Sequence, residues 1–514
     1  ATLTCDGIKT VAERSAAVFY FGGGEMKRPV VLVAVILAMF VSAVEATIVT
    51  TAMPSIAASF GSFSRYSWIF SSYLLMSTVS VLIYGKLADV YGRKRIFNIG
   101  MTIFLIGSLL AGFATTFEQL TVYRLIQGLG AGALSPIAST IVGDIYTMEE
   151  RAKIQGYLSS VWGISAVLGP ALGGLLVQYF SWHYVFWINL PLGILAMLGI
   201  TLFLKEDVEP KRVEIDYKGA ILSTIVLSLF IVWIVEGGQS FERFSLLGSL
   251  MLLLTILFLF LFIRVEKRAT DPIVPMNIWR NPLILYANIV SLLTGIILMA
   301  ISSYLPTYVT GLMEEHALIA GFTLTAMSIG WPIASTISGH LLVRYGPFTT
   351  SLAGGISLAV GAGLFVTMTP TSGPIWAGFG SFWIGVGMGL TSTAFLVAIQ
   401  NSVPYALRGS ATASNMFMRN FGNTIGAALF GAVLNRSITH YFQTFGTKGT
   451  IDDMNVLLTS ESRATLEESV LQLLQQVLAQ SMFVVFSGVF IIVAICFYFI
   501  FKIPRGKVVA HDSE

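Results

Sequence analysis

From residue 29 to residue 501 the chain is cut into apolar blocks of about twenty residues, parted by short polar or Gly/Pro-marked breaks. No other feature restricts its fold so far. Some twenty apolar residues are what a helix needs to cross roughly 30 Å of hydrocarbon. In lipid every backbone polar group must be paired internally, so blocks of this kind are helices and not open sheets. They lie near 29–53, 68–88, 96–114, 119–142, 155–177, 184–204, 217–236, 244–264, 283–308, 319–341, 350–369, 374–398, 410–434 and 481–501, which makes fourteen spans. The expectation is an all-α polytopic membrane protein. Composition agrees, because 55% of the residues are hydrophobic and only 11% charged, against about 25% charged in a soluble domain.

An even number of spans puts both termini on one side. Loops rich in Lys and Arg stay in the cytoplasm. With the first loop outside, one side collects 21 of the 30 basic residues and the other five: Arg65, Arg243, Arg436, Lys448 and Arg463. Arg124 and Arg419 fall within spans, and Lys9 and Arg14 lie in the N-terminal tail. Both ends are therefore expected in the cytoplasm. The net charge of +3 is too small and too dispersed for nucleic-acid binding. Two cysteines, Cys5 and Cys496, and five scattered histidines supply neither a disulfide framework nor metal-ligand spacing. No phosphate-binding G-x-x-x-x-G-K-[ST] loop occurs, which disfavours an ATP-driven pump. No catalytic constellation or cofactor motif is present, so an enzyme is not expected.

The tail, residues 1–27, lacks a basic start followed by a long apolar core and does not read as a signal peptide. Gly22-Gly23-Gly24-Glu25 before Met26 would be written in purine-rich codons resembling a bacterial ribosome-binding site, so Met26 is the expected start. A genuine tail is the competing reading.

An internal repeat divides the rest. GKLADVYG at 85–92 and GHLLVRYG at 339–346 share G-x-L-x-x-x-Y-G, each at the basic end of a half's second span. The division is then a six-helix half (28–204), two extra central helices with linkers (205–282), a second six-helix half (283–504) and a cytoplasmic tail (505–514). Parallel halves of this kind place a substrate site between them near the midplane. The external loop 435–480 holds ESRATLEESVLQLLQQVLAQ, whose apolar spacing predicts an amphipathic helix on the outer interface or leading into the last span.

These residues resemble the major facilitator superfamily. GKLADVYGRKR at 85–95, with Gly85, Asp89, Gly92, Arg93 and Lys94, resembles its loop signature. LTVYRLIQGLGAG at 120–132 is similar to its span-4 motif, and WGISAVLGPALGGLL at 162–176 to the span-5 motif associated with antiporters. VEATIVTTAMP at 44–54 and SWHYVFWINLPLG at 181–193 resemble the fourteen-span drug/proton antiporters, with Glu45 where that family usually has Asp, and His183 and Tyr184 where Arg and Trp are common. The resemblance runs from about residue 28 to 504. It implies a proton-coupled multidrug exporter of the bacterial inner (cytoplasmic) membrane, of the antibiotic-resistance type and monomeric.

Physical reading of the motifs starts from Glu45, some fifteen residues into its span. An ionisable group there costs roughly 2.5–3.5 kcal/mol on insertion scales and is expected to face a cavity. Desolvation raises a carboxyl pKa and a nearby cation lowers it, so a carboxyl in such surroundings suits a proton carrier. Arg124 cannot carry the proton but can bias the carboxyl, or build a polar path with Gln127. In the family the matching Arg is implicated in coupling; a merely structural ion pair is the other reading. Chiefly through the resemblance, Asp89 is expected at the positive end of a helix from the other half and Arg93 against Asp144, as a brace broken when the cytoplasmic side opens; charges that only set topology are the competing reading. Gly163, Gly169, Pro170, Gly173 and Gly174 are expected mostly on one face of span 5, where missing side chains allow close approach; tight packing alone explains them equally well. Glu236 is expected at the outer interface. Arg419 reads either as a second intramembrane cation or as a side chain snorkelling to the surface. Tyr73, Trp162, Trp331 and Trp383 are candidate pocket aromatics, or plain packing.

The expected function is export of lipophilic compounds, neutral or monocationic, as a proton enters. One charge across about 100 mV is worth about 2.3 kcal/mol and one pH unit about 1.4 kcal/mol. A neutral substrate exchanged for one proton uses both. A monocation uses only the pH part, and a single central carboxyl argues against dications. The alternative is a related carrier exporting a metabolite, lipid or siderophore. A membrane sensor would need neither Glu45 nor Arg124 within the bilayer.

Overall fold

The structure, a computed structural model, describes residues 27–60, 67–206, 217–236, 245–269, 277–315, 317–446, 454, 457, 463 and 466–505. The tail, with Met26, lies outside them. Every regular element among the described residues is helical. In order they are α1 (Arg28–Phe60), α2 (Ser67–Tyr91), α3 (Arg93–Ala111), α4 (Phe117–Ile145), α5 (Met148–Tyr179), α6 (His183–Trp187) and α7 (Asn189–Phe203). They continue with α8 (Tyr217–Glu236), α9 (Leu246–Glu266), α10 (Pro282–Gly311), α11 (Ala317–Val366), α12 (Gly373–Asn401), α13 (Arg408–Thr444) and α14 (Glu468–Ile500). Ten runs among the described residues are long and apolar enough to cross a membrane, and α6 with α7 forms one of them. Pro191, with no N–H to offer the Trp187 carbonyl, accounts for the break at Ile188.

Two cores match the two halves. Val31, Phe97, Phe104, Leu134 and Ile200 pack together in the first, and Ile297, Phe365, Phe395 and Val485 in the second. The two extra helices stand outside both. Leu227 and Val232 of α8 pack on Leu75 and Val79 of α2, and the Phe230 ring lies 5.5 Å from that of Phe421 on α13. Helix α9 turns Leu246, Leu253, Ile256 and Phe260 outward, the face of a helix that meets lipid tails.

The repeat appears in the backbone. Gly92 (φ 91°) joins α2 to α3, and Gly346 (φ 81°) breaks α11 at the same place in the second half. A side chain at either φ is strained, which is why both repeats end in glycine. The end of the bundle where these links lie is called the basic end below.

Two boundaries differ from the sequence expectation. Spans 319–341 and 350–369 are one helical run kinked at Gly346. The segment between the last two spans is shorter than 435–480, because α13 runs on to Thr444 and α14 begins at Glu468. The amphipathic stretch therefore leads straight into the last span, and Arg463 donates to the Thr310 carbonyl (2.7 Å) at the end of α10.

Candidate functional site: a sealed charge pair and an interhalf brace

In the first half, α1, α4 and α7 bring one acid, one base and two amides together. Arg124 and Gln127 share a face of α4, being three residues apart. Nη1 of Arg124 donates both to Glu45 Oε1 and to Gln127 Oε1 (2.6 Å). Its Nε donates to the Ile69 carbonyl (3.0 Å), and its guanidinium lies 4.3 Å from the Tyr73 ring centre. Asn189 donates to the second Glu45 oxygen (2.5 Å) and to Ser108 Oγ (3.0 Å). Ser108 also accepts from Gln127 (3.1 Å) and donates to the Phe186 carbonyl (2.7 Å), which uses its full capacity.

Glu45 and Arg124 are both 0% exposed, which corrects the expectation of a partly hydrated cavity. The carboxylate is held dry because Arg124 and Asn189 satisfy an oxygen each. Removing one partner of a buried pair leaves an uncompensated charge and costs about 3–5 kcal/mol. A proton on Glu45 neutralises the acid and loosens its hold on Arg124, whose Nη2 is buried without a partner. Sequence reasoning missed Ser108 and Asn189. Ser108 carries only the signal of a polar residue in an apolar run, one of dozens, and Asn189 lies inside the 181–193 motif but was not singled out there.

At the basic end the halves are laced together. Asp89 accepts from the backbone N–H of Gly409 (2.9 Å) and Ser410 (2.7 Å) and from the Ser410 hydroxyl (2.7 Å). A carboxylate at a helix N-terminus meets both unsatisfied donors and the positive end of the macrodipole. Gly85 makes this approach possible, since a methyl group there would fall 3.0 Å from the Gly409 carbonyl and into the Ala413 side chain. Arg93 bonds Asp89 (2.9 Å) and Asp144 (3.0 Å) and donates across to the Tyr405 carbonyl (2.9 Å). Asp144 also takes Arg408 of the second half (3.3 Å), and Arg151 donates to Asn401 (3.0 Å). Arg93 lies 4.4 Å from the Tyr405 ring centre. Burial, helped by Asp144, pushes that phenol above its ordinary range, so the ring under the cation stays neutral. Arg408 and Tyr405 were not expected here. The first looked like one topology charge among many.

The span-5 glycines do not share one neighbour. A methyl at Gly163 would fall 2.6 Å from the Ser328 carbonyl on α11, one at Gly169 would strike Thr47 on α1, and Gly174 faces open space. Gly173 is buried, and the Pro170 side chain lies outside the described residues. Of the aromatics, Tyr73 sits under Arg124, Trp331 packs on the second core and Trp162 is exposed. Helix α8 ends at Glu236, whose side chain is not described.

The second half has an uncharged counterpart. Asn415 on α13 donates to Asn288 (3.0 Å) and Ser291 (2.9 Å) on α10, and Asn288 donates to Ser414 (3.3 Å). Arg419 lies one turn further along α13, partly buried.

Comparison with known proteins follows the same lines. Residues 35–427 match the family model described as Major Facilitator Superfamily. The chain is 34% identical over 467 residues to multidrug resistance protein 3 of Bacillus subtilis, covering 89% of this chain and 91% of that one. It is 32% identical over 415 residues to the multidrug transporter protein MdtP of the same organism, covering 80% and 76%. Among solved structures, the human organic anion transporter MFSD10 superposes with a TM-score of 0.62 at 14% identity, over 93% of this chain and all of that one. At that identity the likeness concerns the fold alone.

Proposed function

The chain belongs to the major facilitator superfamily, and from that premise we propose that it exports lipophilic drug-like compounds by exchange for protons. As a member it is a multi-pass membrane carrier and not an enzyme. Export as the direction is supported by the efflux and multidrug relatives. Proton coupling rests on one observation, the buried Glu45–Arg124 pair.

In this reading the basic end faces the cytoplasm, the chain crosses the membrane fourteen times, and the described conformation is closed on that side by Asp89, Arg93, Asp144 and Arg408. Substrate binds between the halves. A proton arriving at Glu45 releases Arg124, and the change in packing of α1 against α4 is passed to the brace. The coupling set is Glu45, Arg124 and Gln127, positioned by Asn189 and Ser108; Gly163 and Gly169 keep α5 close to α11 and α1 while the halves move. One titrating carboxyl limits the exchange to one proton and favours neutral or singly charged compounds over dications. The test is compound-driven proton release from proteoliposomes, with tetraphenylphosphonium as monocation and dequalinium as dication. Release that vanishes in Glu45→Gln while tetraphenylphosphonium binding persists supports the reading. Unchanged release moves coupling elsewhere, and uphill dequalinium export by one proton contradicts the limit.

A further inference from the structure

Arg419 is eleven residues beyond Arg408 at the start of α13, about 16 Å along the helix axis at 1.5 Å per residue. That is half the roughly 30 Å of hydrocarbon, too deep for its head to reach the basic end. Arg93, Arg124, Arg151, Arg408 and Arg463 each hold a partner. Arg419 makes no hydrogen bond, ion pair or ring contact among the described residues. Arginine stays charged when buried, and unpaired charge in a membrane interior is expensive and marks a substrate or ion path.

The other faces of α13 say where it points. Asn415 bonds α10, and Gly422 and Gly426 lie on the Leu292 and Ile296 carbonyls of the same helix. Ala413 and Met416 pack with Val81 of α2. Phe417 stacks on Phe421, which meets Phe230 of α8. At 3.6 residues per turn, Arg419 and Asn423 fall on the stripe between the α10 face and the α2 face, away from α8. Since α2 and α10 belong to different halves, that stripe looks into the seam between them. Asn423 Oδ1 is also buried there without a partner. Nor can Glu45 serve as the missing acid in this conformation, both of its oxygens being taken.

We propose that Arg419 anchors a carboxylate carried by the transported compound, so that the preferred substrates are lipophilic molecules bearing one acid group, zwitterions included. The proposal rests on the export reading and names its substrate class. A guanidinium fork matches a carboxylate with two parallel hydrogen bonds, and the Asn423 amide, one turn away, offers a third contact. A cation fixed in the seam also repels the positive end of a zwitterion, which orients it along the seam.

Binding of dansyl-phenylalanine and of its methyl ester to the purified full-length protein, read by dansyl fluorescence, tests this without requiring transport. The unmodified protein is expected to prefer the acid by about tenfold, the worth of one charge-assisted hydrogen bond. Arg419→Gln is expected to remove the preference, and Arg419→Lys, which keeps the charge without the fork, to retain part of it. Equal affinity for acid and ester in the unmodified protein overturns the proposal, as does a preference surviving in Arg419→Gln. Should Arg419→Gln fail to fold, an Arg419→Lys protein with an undiminished preference for the acid also overturns it. If neither dye binds, the anchor is overturned, while the export reading stands or falls on compound-driven proton release. Equal affinities beside intact compound-driven proton release sink the anchor alone.

Discussion

The two halves share a backbone and differ in their charges. Both place a left-handed glycine, Gly92 or Gly346, between their second and third spans. Three residues earlier, the first half has Asp89 reaching the start of α13, whereas the repeat puts Val343 at the matching place. At the centre the first half buries an ion pair on α1 and α4, and the second an amide and hydroxyl cluster on α10 and α13. The contrast teaches a division of labour. At the membrane centre the ion pair lies in the first half, while the second holds an amide and hydroxyl cluster and Arg419, the cation for which a ligand is proposed.

The sharpest break of this comparison is Glu45→Gln. A neutral compound exchanged for one proton draws on about 3.7 kcal/mol at 100 mV and one pH unit, several hundredfold. In the variant, accumulation of such a compound in vesicles should fall to about one, whereas Asn415→Ala should keep the full ratio. If both variants stay coupled, the division of labour is wrong.

Next in size is Asp89→Asn. Loss of charge-assisted bonds to two backbone N–H groups should cost the closed state about 2 kcal/mol, roughly thirtyfold in its population against the cytoplasm-open form. Labelling of a cysteine placed beside Ser139, under the brace, should quicken by a similar factor; unchanged labelling would mean the contact holds nothing. Val343→Asp asks the converse. By the repeat it should face the start of α5 and slow the same labelling a few-fold, an effect of about 1 kcal/mol. Faster labelling would show that the second half cannot accept a latch.

On transport the smallest effect is expected from Asn415→Ala itself. Loss of its bonds to Asn288 and Ser291 should lower stability by about 1–3 kcal/mol, seen as a lower melting temperature in detergent, with proton release per compound unchanged. Altered stoichiometry would give the neutral cluster a coupling role.

Legibility in the sequence followed physical scale. Hydropathy marks where a helix meets lipid, so helices and repeat could be read from twenty-residue averages and from glycine. It does not mark where a helix ends in water, and so α13 and α14 outrun their apolar blocks at Thr444 and Glu468. Rare residue types were legible as well: a Glu and an Arg inside spans stand out, and the structure brings them together. Ser108 and Asn189 were not, because polar side chains on apolar helices are common and only packing decides which ones converge. Arg408 was counted for its sign, and the contact it makes with Asp144 depends on a fold that closes a separation of 264 positions.

The one-residue link at Gly92 and its twin at Gly346 also have a mechanical consequence. Helices α4 and α5 are joined almost as tightly, by Tyr146 and a Thr147 whose capping box with Glu150 stiffens the turn. Couplings this short leave each half few internal degrees of freedom at its basic end, so each behaves as a stiff lever. The chain passes from one lever to the other through residues 204–281, which carry α8 and α9. Shortening that stretch should stall the machine by tethering one lever to the other, and its first residues already reach the brace, Glu206 accepting from the backbone N–H of Arg93 (2.7 Å) and Lys94 (2.9 Å).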